Sequence, residues 1–233
     1  MQLIAEVYDI LKNVGGLSNE EMADLFDEWN KGELESYLIE ITAKILRKQD
    51  VETGRGYVVD FILDKTEMKG TGKWTVQEGA EQGVAIPTIA AALDARMLSS
   101  RKEERVEASK VLEPPTIQKK DRQQLIDDVR AALYCSKICS YAQGLSLIQT
   151  ASNEHSWSVD LSECARLWTG GCIIRARLLG SIQKAFAAEP KLKNLMMEKT
   201  FASALNERVG AWRRVVAECI TNGKFRFIRS PQR

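Results

Sequence analysis

Between residues 64 and 75 the chain gathers side chains and backbone that suit an anion. Met68-Lys69-Gly70-Thr71-Gly72-Lys73-Trp74-Thr75 interleaves two lysines, two glycines and two threonines. Glycine lets the backbone take positive φ and approach a ligand closely. The lysines supply charge and the threonines hydroxyl donors. Such a loop at a helix start suits phosphate, because backbone N–H groups and the helix dipole both favour an anion. It is not a Walker A loop, since one residue separates the glycines where G-x-x-x-x-G-K-[ST] requires four. A solvated basic loop is the commoner outcome for residues like these, and both readings stay open on the loop alone.

Other candidates carry less. Arg96 falls between Leu93 and Met97-Leu98, at the border of an apolar helical face. There an arginine either snorkels, which is the commoner case, or meets a buried anion. Cys135 and Cys139 lie one helical turn apart, but with a single histidine (His155) and no C-x-x-C they read as small core thiols rather than zinc ligands. His155, in a polar turn, reads as exposed. Trp29, Trp168 and Trp212 read as core. The paired carboxylates Asp127-Asp128 and Glu103-Glu104 read as solvated faces of charged helices. No general base stands out, and no metal site is expected.

The elements that must position these residues are helical throughout. Leu3, Ile4, Val7, Tyr8 and Leu11 predict a helix over 1–12, stopped by Gly15-Gly16. Ser18 and Glu21 form a capping box before Met22, Leu25, Phe26 and Trp29. Residues 33–48 place Leu34, Leu38, Ile41 and Ile45 on one face. Residues 57–63 are apolar and short enough to be strand or helix. Thr75 with Glu78 suggests a further capping box, and Pro87 suits the first position of a helix through Leu98. A charged helix over 101–111 precedes a linker from Pro114-Pro115 to about Lys120. Asp121 then caps one long helix to about Ile148, and 153–157 make a turn. Asp160 with Glu163 starts a helix at Leu161; others run over 173–186 and 201–220. Period-two alternation is nearly absent and no G-x-G-x-x-G follows a strand. The predicted fold class is all-α.

Composition narrows the function classes. Lys and Arg total 33 against 32 Asp and Glu, a formal charge of +1, so no global field draws the chain to nucleic acid or an anionic membrane. No apolar stretch approaches the roughly 20 residues of a membrane span. Five cysteines, an odd number, suggest free thiols in a reducing compartment, and the cytosol is the expected location.

Four segments keep a recognisable order. They are Ala95-Arg96-Met97-Leu98-Ser99-Ser100 with Glu104-Arg105-Val106; Lys137-Ile138-Cys139-Ser140-Tyr141-Ala142-Gln143-Gly144; Trp168-Thr169-Gly170-Gly171-Cys172-Ile173-Ile174-Arg175-Ala176; and Ala211-Trp212-Arg213-Arg214-Val215-Val216. In this register the chain resembles the C-terminal helical domain of 6-phosphogluconate dehydrogenase, the NADP-dependent decarboxylating enzyme of the pentose phosphate pathway. The resemblance runs from residue 1 to about 216 and implies a helical domain over 1–220 with a divergent basic tail over 221–233.

The resemblance implies roles the residues alone do not. Lys69 and Thr71 match the loop residues that bind the substrate's phosphate, and Arg96 matches the helix arginine that joins them. Glu67 and Met68 depart from the small residues many members carry, which sets a carboxylate beside that site. The family's NADP-binding Rossmann-type domain, its catalytic Lys and Glu, and a substrate-binding Tyr all precede the segment matching Met1. The family's tail reaches into a dimer partner with an Arg and a His; here Lys224-Phe225-Arg226-Phe227-Ile228-Arg229 stands in its place. The implied reaction begins with a lysine base taking the 3-hydroxyl proton while hydride passes to NADP. Loss of carbon dioxide and glutamate-assisted protonation of the enediol then give ribulose 5-phosphate. The expectation is a chain that supplies part of the 6-phosphogluconate phosphate site and a dimer interface, paired with itself or with a full-length subunit, and is inactive alone. The other reading is a non-catalytic interaction module derived from that enzyme.

Overall fold

The computed structural model describes residues 1–113 and 121–222. The expected linker at 114–120 and most of the expected basic tail lie outside the described residues. The described residues form α-helices, two short 3-10 turns and two isolated β-bridges, Ser36 to Ala176 and Gln49 to Tyr57, with no strand among them.

Helix α1 (Gln2–Asn13) ends before Gly16, whose φ of 65° turns the chain. Helix α2 (Asn19–Trp29) begins at the expected capping box. Ser18 Oγ accepts from the Glu21 N–H at 3.2 Å, and a Glu21 carboxylate oxygen accepts from the Ser18 N–H at 2.8 Å. Helix α3 (Tyr37–Arg47) starts four residues later than expected, because Ser36 caps it by accepting from the Ile39 N–H. That cap fixes the buried stripe as Ile39, Ala43 and Leu46, whereas Ile45 is 45% exposed. Both stripes have helical spacing, so periodicity could not separate them.

The apolar run at 57–63 is neither strand nor α-helix. Tyr57 forms the bridge to Gln49, Val58–Asp60 make a 3-10 turn, and Phe61, Ile62 and Leu63 stand exposed. Helix α4 (Thr71–Glu81) then leads to α5 (Pro87–Ser100), with proline in its first turn as expected. Helix α6 (Lys102–Val111) buries no residue.

Helix α7 (Arg122–Glu154) has 33 residues and ends six residues beyond the expected end near Ile148. At 1.5 Å per residue it is about 50 Å long, enough to serve two cores. Its first half joins α1, α2 and α3 around Leu11, Met22, Phe26, Trp29, Leu34 and Val129. Its second half meets α8 (Leu161–Leu167) and α9 (Arg177–Ala188) around Ile138, Leu145, Leu179 and Ile182. Helix α10 (Lys199–Thr221) runs along α7 and adds Phe201 to the second cluster and Val215 to the first. Helix α9 also starts later than expected, at the residue after Ala176, where the bridge to Ser36 holds the chain extended.

Of the tryptophans, Trp29 is fully buried edge-on to Phe26, with ring centroids 5.3 Å apart, while Trp168 and Trp212 are half-buried. Cys135 is buried and Cys139 half-buried, as small core thiols would be. His155 is exposed and stacks on Trp157. Asp128 corrects the sequence reading, which made it part of a solvated face. It is buried and accepts two hydrogen bonds from the Arg214 guanidinium, at 2.8 and 2.7 Å. Those bonds hold its carboxyl below the ordinary range against the opposing effect of burial.

Candidate functional site

Helix α4 starts at Gly70, not at the expected Thr75. Gly70 takes φ 100°, a conformation open to glycine, and no side chain caps the helix. Thr75 lies inside the helix, and its hydroxyl donates to the Thr71 carbonyl at 2.8 Å, so the Thr75–Glu78 capping box does not form. The second glycine has a different job: a Cβ at Gly72 would lie 3.3 Å from Leu93, so Gly72 lets α4 approach α5 closely.

These details set the local chemistry. Lys69 immediately precedes the turn and Thr71 is the first helical residue, and both are exposed. The first N–H groups of a helix have no intrahelical partner, and here no side chain takes them. Exposed first-turn N–H groups, a lysine and a threonine hydroxyl therefore sit together at the positive end of a helix dipole.

Arg96 comes to this loop from α5. Its Nη2 donates to the Glu67 carbonyl at 2.6 Å, and Thr66 Oγ1 donates to the Arg96 carbonyl at 3.4 Å. Its Nε is buried and has no hydrogen-bond partner among the described residues. A guanidinium carries five N–H donors, so most remain for another acceptor. The Glu67 residue that sets a carboxylate beside the loop also provides, through its main chain, the anchor for Arg96.

A second set of residues, to which the sequence reading gave no role, holds the loop in place. Arg105 Nη2 donates to the carbonyls of Asp64 at 2.6 Å and Ser99 at 3.1 Å, and its Nη1 donates to the Asp64 carboxylate at 3.2 Å. Lys102 is also hydrogen-bonded to that carboxylate. Burial pushes the Asp64 carboxyl up, but the Lys102 and Arg105 bonds outweigh it and hold it below its ordinary value. Arg105 belongs to a quoted motif, Glu104-Arg105-Val106, yet nothing in its spacing announces a partner 41 residues away.

The fold and this loop define an all-α domain with a basic, glycine-started helix terminus facing outward. The chain belongs to the family described as 6-phosphogluconate dehydrogenase, C-terminal domain, which it matches over residues 1–228. It is similar to the chloroplastic decarboxylating 6-phosphogluconate dehydrogenase 3 of Arabidopsis thaliana, 55% identical over 231 residues, covering 96% of this chain and 47% of that protein. A decarboxylating 6-phosphogluconate dehydrogenase of Synechocystis is 54% identical over 218 residues, covering 93% and 45%. Among solved structures, the Plasmodium falciparum 6-phosphogluconate dehydrogenase superposes with a TM-score of 0.92 at 42% identity, covering 96% of this chain and 48% of that one. It has been described apo, with its cofactor NADP+ and with its substrate 6-phosphogluconate. The chain thus spans about half the length of the relatives it matches. Chloroplastic names among them leave the cytosolic expectation resting on composition. No helix among the described residues is long and apolar enough to cross a membrane.

Proposed function

We propose that Lys69, Thr71 and Arg96 are the part of a substrate-phosphate clamp that this helical domain, residues 1–220, brings to a decarboxylating 6-phosphogluconate dehydrogenase. The observation that carries the reading is Arg96, anchored on the Glu67 carbonyl with its Nε buried and unmatched, beside an uncapped helix start. A desolvated guanidinium with unused donors is unfavourable until an anion engages it. Lys69 would add charge and Thr71 a hydroxyl. The substrate, 6-phosphogluconate, and the cofactor, NADP, come to this reading from the relatives.

A clamp of this kind supplies affinity and orientation, and neither takes a proton nor passes a hydride. Among the described residues no strand feeds a glycine turn, so none of them fits a dinucleotide cradle. The domain's contribution stops at substrate binding, and the chain alone is expected to be inactive. Purified 233-residue chain given 6-phosphogluconate and NADP should form no NADPH above blank, and steady turnover would contradict this.

Pairing with a second subunit, a copy of itself or a full-length chain, is the accompanying reading. Phe61, Ile62, Leu63, Trp74 and Met97 are all exposed on the elements that carry the loop. An apolar set of this kind beside a binding loop is more typical of a partner contact than of open surface. Sedimentation should show self-association or capture of a full-length subunit; a strict monomer in both experiments would count against pairing. The non-catalytic interaction module is what remains if pairing occurs without anion binding.

A further inference from the structure

Lys137 lies at the middle of α7, in one of the segments that carry the family resemblance, and the proposed clamp does not use it. Its Nζ is buried and has no hydrogen-bond partner among the described residues. It lines a cavity of about 410 Å3 between α1, α3, α5 and α7, walled by residues such as Leu3, Ile4, Leu38 and Ile89. That volume lies within the usual range for a small-molecule pocket, roughly 300 to 1,000 Å3.

The polar side chains around the cavity are engaged elsewhere. Thr88 Oγ1 accepts from Gln143 at 2.9 Å, Ser36 Oγ accepts from the Ile39 N–H at 3.3 Å, and Ser140 Oγ donates to the Ser136 carbonyl at 2.9 Å. The Tyr141 hydroxyl donates to the Ile174 carbonyl at 3.4 Å. Glu6, the lining carboxylate, accepts from the Gln2 amide at 2.9 Å. Among the described residues Lys137 is the only Lys or Arg side chain on the wall, which the Met1 end of α1 also lines. Burial lowers its ammonium to about 8, against a weaker opposing pull from Glu35.

We propose that this cavity is a binding site for a small monocarboxylate with an apolar body, Lys137 serving as its counter-ion. The buried, unpartnered Lys137 ammonium in apolar walls neutralises one negative charge. The apolar walls in turn favour a ligand whose body excludes water. The site is distinct in chemistry from the loop at Lys69 and Arg96, and stands whether or not that loop binds phosphate.

Octanoate and octan-1-ol are the probes, titrated calorimetrically into the 233-residue chain. Octanoate is expected to bind saturably at one site, and Lys137→Met to weaken it by at least about tenfold, the loss of a charge-assisted contact. Octanol, lacking the charge, should change by less than about twofold in the same variant. Equal octanoate affinity in both proteins, or no saturable binding to the unsubstituted chain, would overturn the proposal. A measurement on the unsubstituted protein avoids dependence on the variant's folding. Octanoate should raise the titration midpoint of the Lys137 side chain, followed by NMR, and an unmoved midpoint at saturating octanoate would equally overturn it.

Discussion

The scaffold on either side of α7 and the segment that carries the anion loop are held by different forces. Residues 1–47 and 122–222 close over two apolar clusters and contain nearly all the fully buried large side chains. Between residues 48 and 112, only Gly79, Ile86 and Leu93 are buried. The loop region is instead tied to α5 and α6 by the Arg105, Lys102, Arg96 and Thr66 hydrogen bonds. Apolar burial is non-directional and dominates global stability, whereas hydrogen bonds fix geometry and contribute little net free energy. The scaffold should therefore govern unfolding, and the ties should govern the shape of the candidate site.

The largest effect that would sharpen this contrast lies in the first cluster. Trp29→Ala should lower the unfolding free energy by about 3–5 kcal/mol, the range for emptying a buried aromatic site. Chemical denaturation gives the value, and a cost near zero would break the division of labour. Next is the Asp128–Arg214 pair, where Arg214→Ala leaves a buried carboxylate without its two best donors. With Arg214 more than half exposed and screened by solvent, the loss of stability at neutral pH should be measurable but smaller than that of Trp29→Ala. Asp128 has a depressed folded pKa, so its stabilisation is present above the unfolded carboxyl value of about 3.9 and lost as pH falls through the folded one. The difference between variant and parent should therefore shrink in acid; a gap that held or widened below pH 3 would point to lost packing instead.

Two smaller effects belong to the loop. Arg105→Ala should cost about 1 kcal/mol globally or less, yet speed amide exchange around residues 64–70 by about tenfold, because it opens a local unit. Uniform acceleration over the whole chain would show that the ties support the scaffold after all. Gly70→Ala should cost about 1–2 kcal/mol, since its φ of 100° is strained for any L side chain and the new Cβ would lie 3.3 Å from the Trp74 ring. A thermal melt unchanged by that substitution would remove the argument for a glycine-started helix.

Much of the scaffold was legible from sequence because its signals are local. Ser18 with Glu21, Asp121 and Asp160 each cap the helix their spacing announces. The misread starts have identifiable causes. Ser36 was hidden by two overlapping helical stripes. The start of α4 was misplaced because its cap is a positive-φ glycine, which has no side-chain signature, while Thr75 and Glu78 imitate one. Asp128 looks solvated in the sequence because its partner, Arg214, lies 86 residues away. At the candidate site the loop composition was visible, but its ties were not. The anchoring of Arg96 runs through the Glu67 main chain, to which the side-chain sequence is blind. The family resemblance supplied the pairing of loop and arginine that spacing alone left open.

The most direct measurement is calorimetric titration of the 233-residue chain with 6-phosphogluconate, repeated with Lys69→Ala and Arg96→Ala. Saturable binding that each substitution weakens by about tenfold or more, as expected for loss of a charged phosphate contact, would support the clamp. Saturable binding left intact by both substitutions would contradict it and place the phosphate elsewhere on the domain.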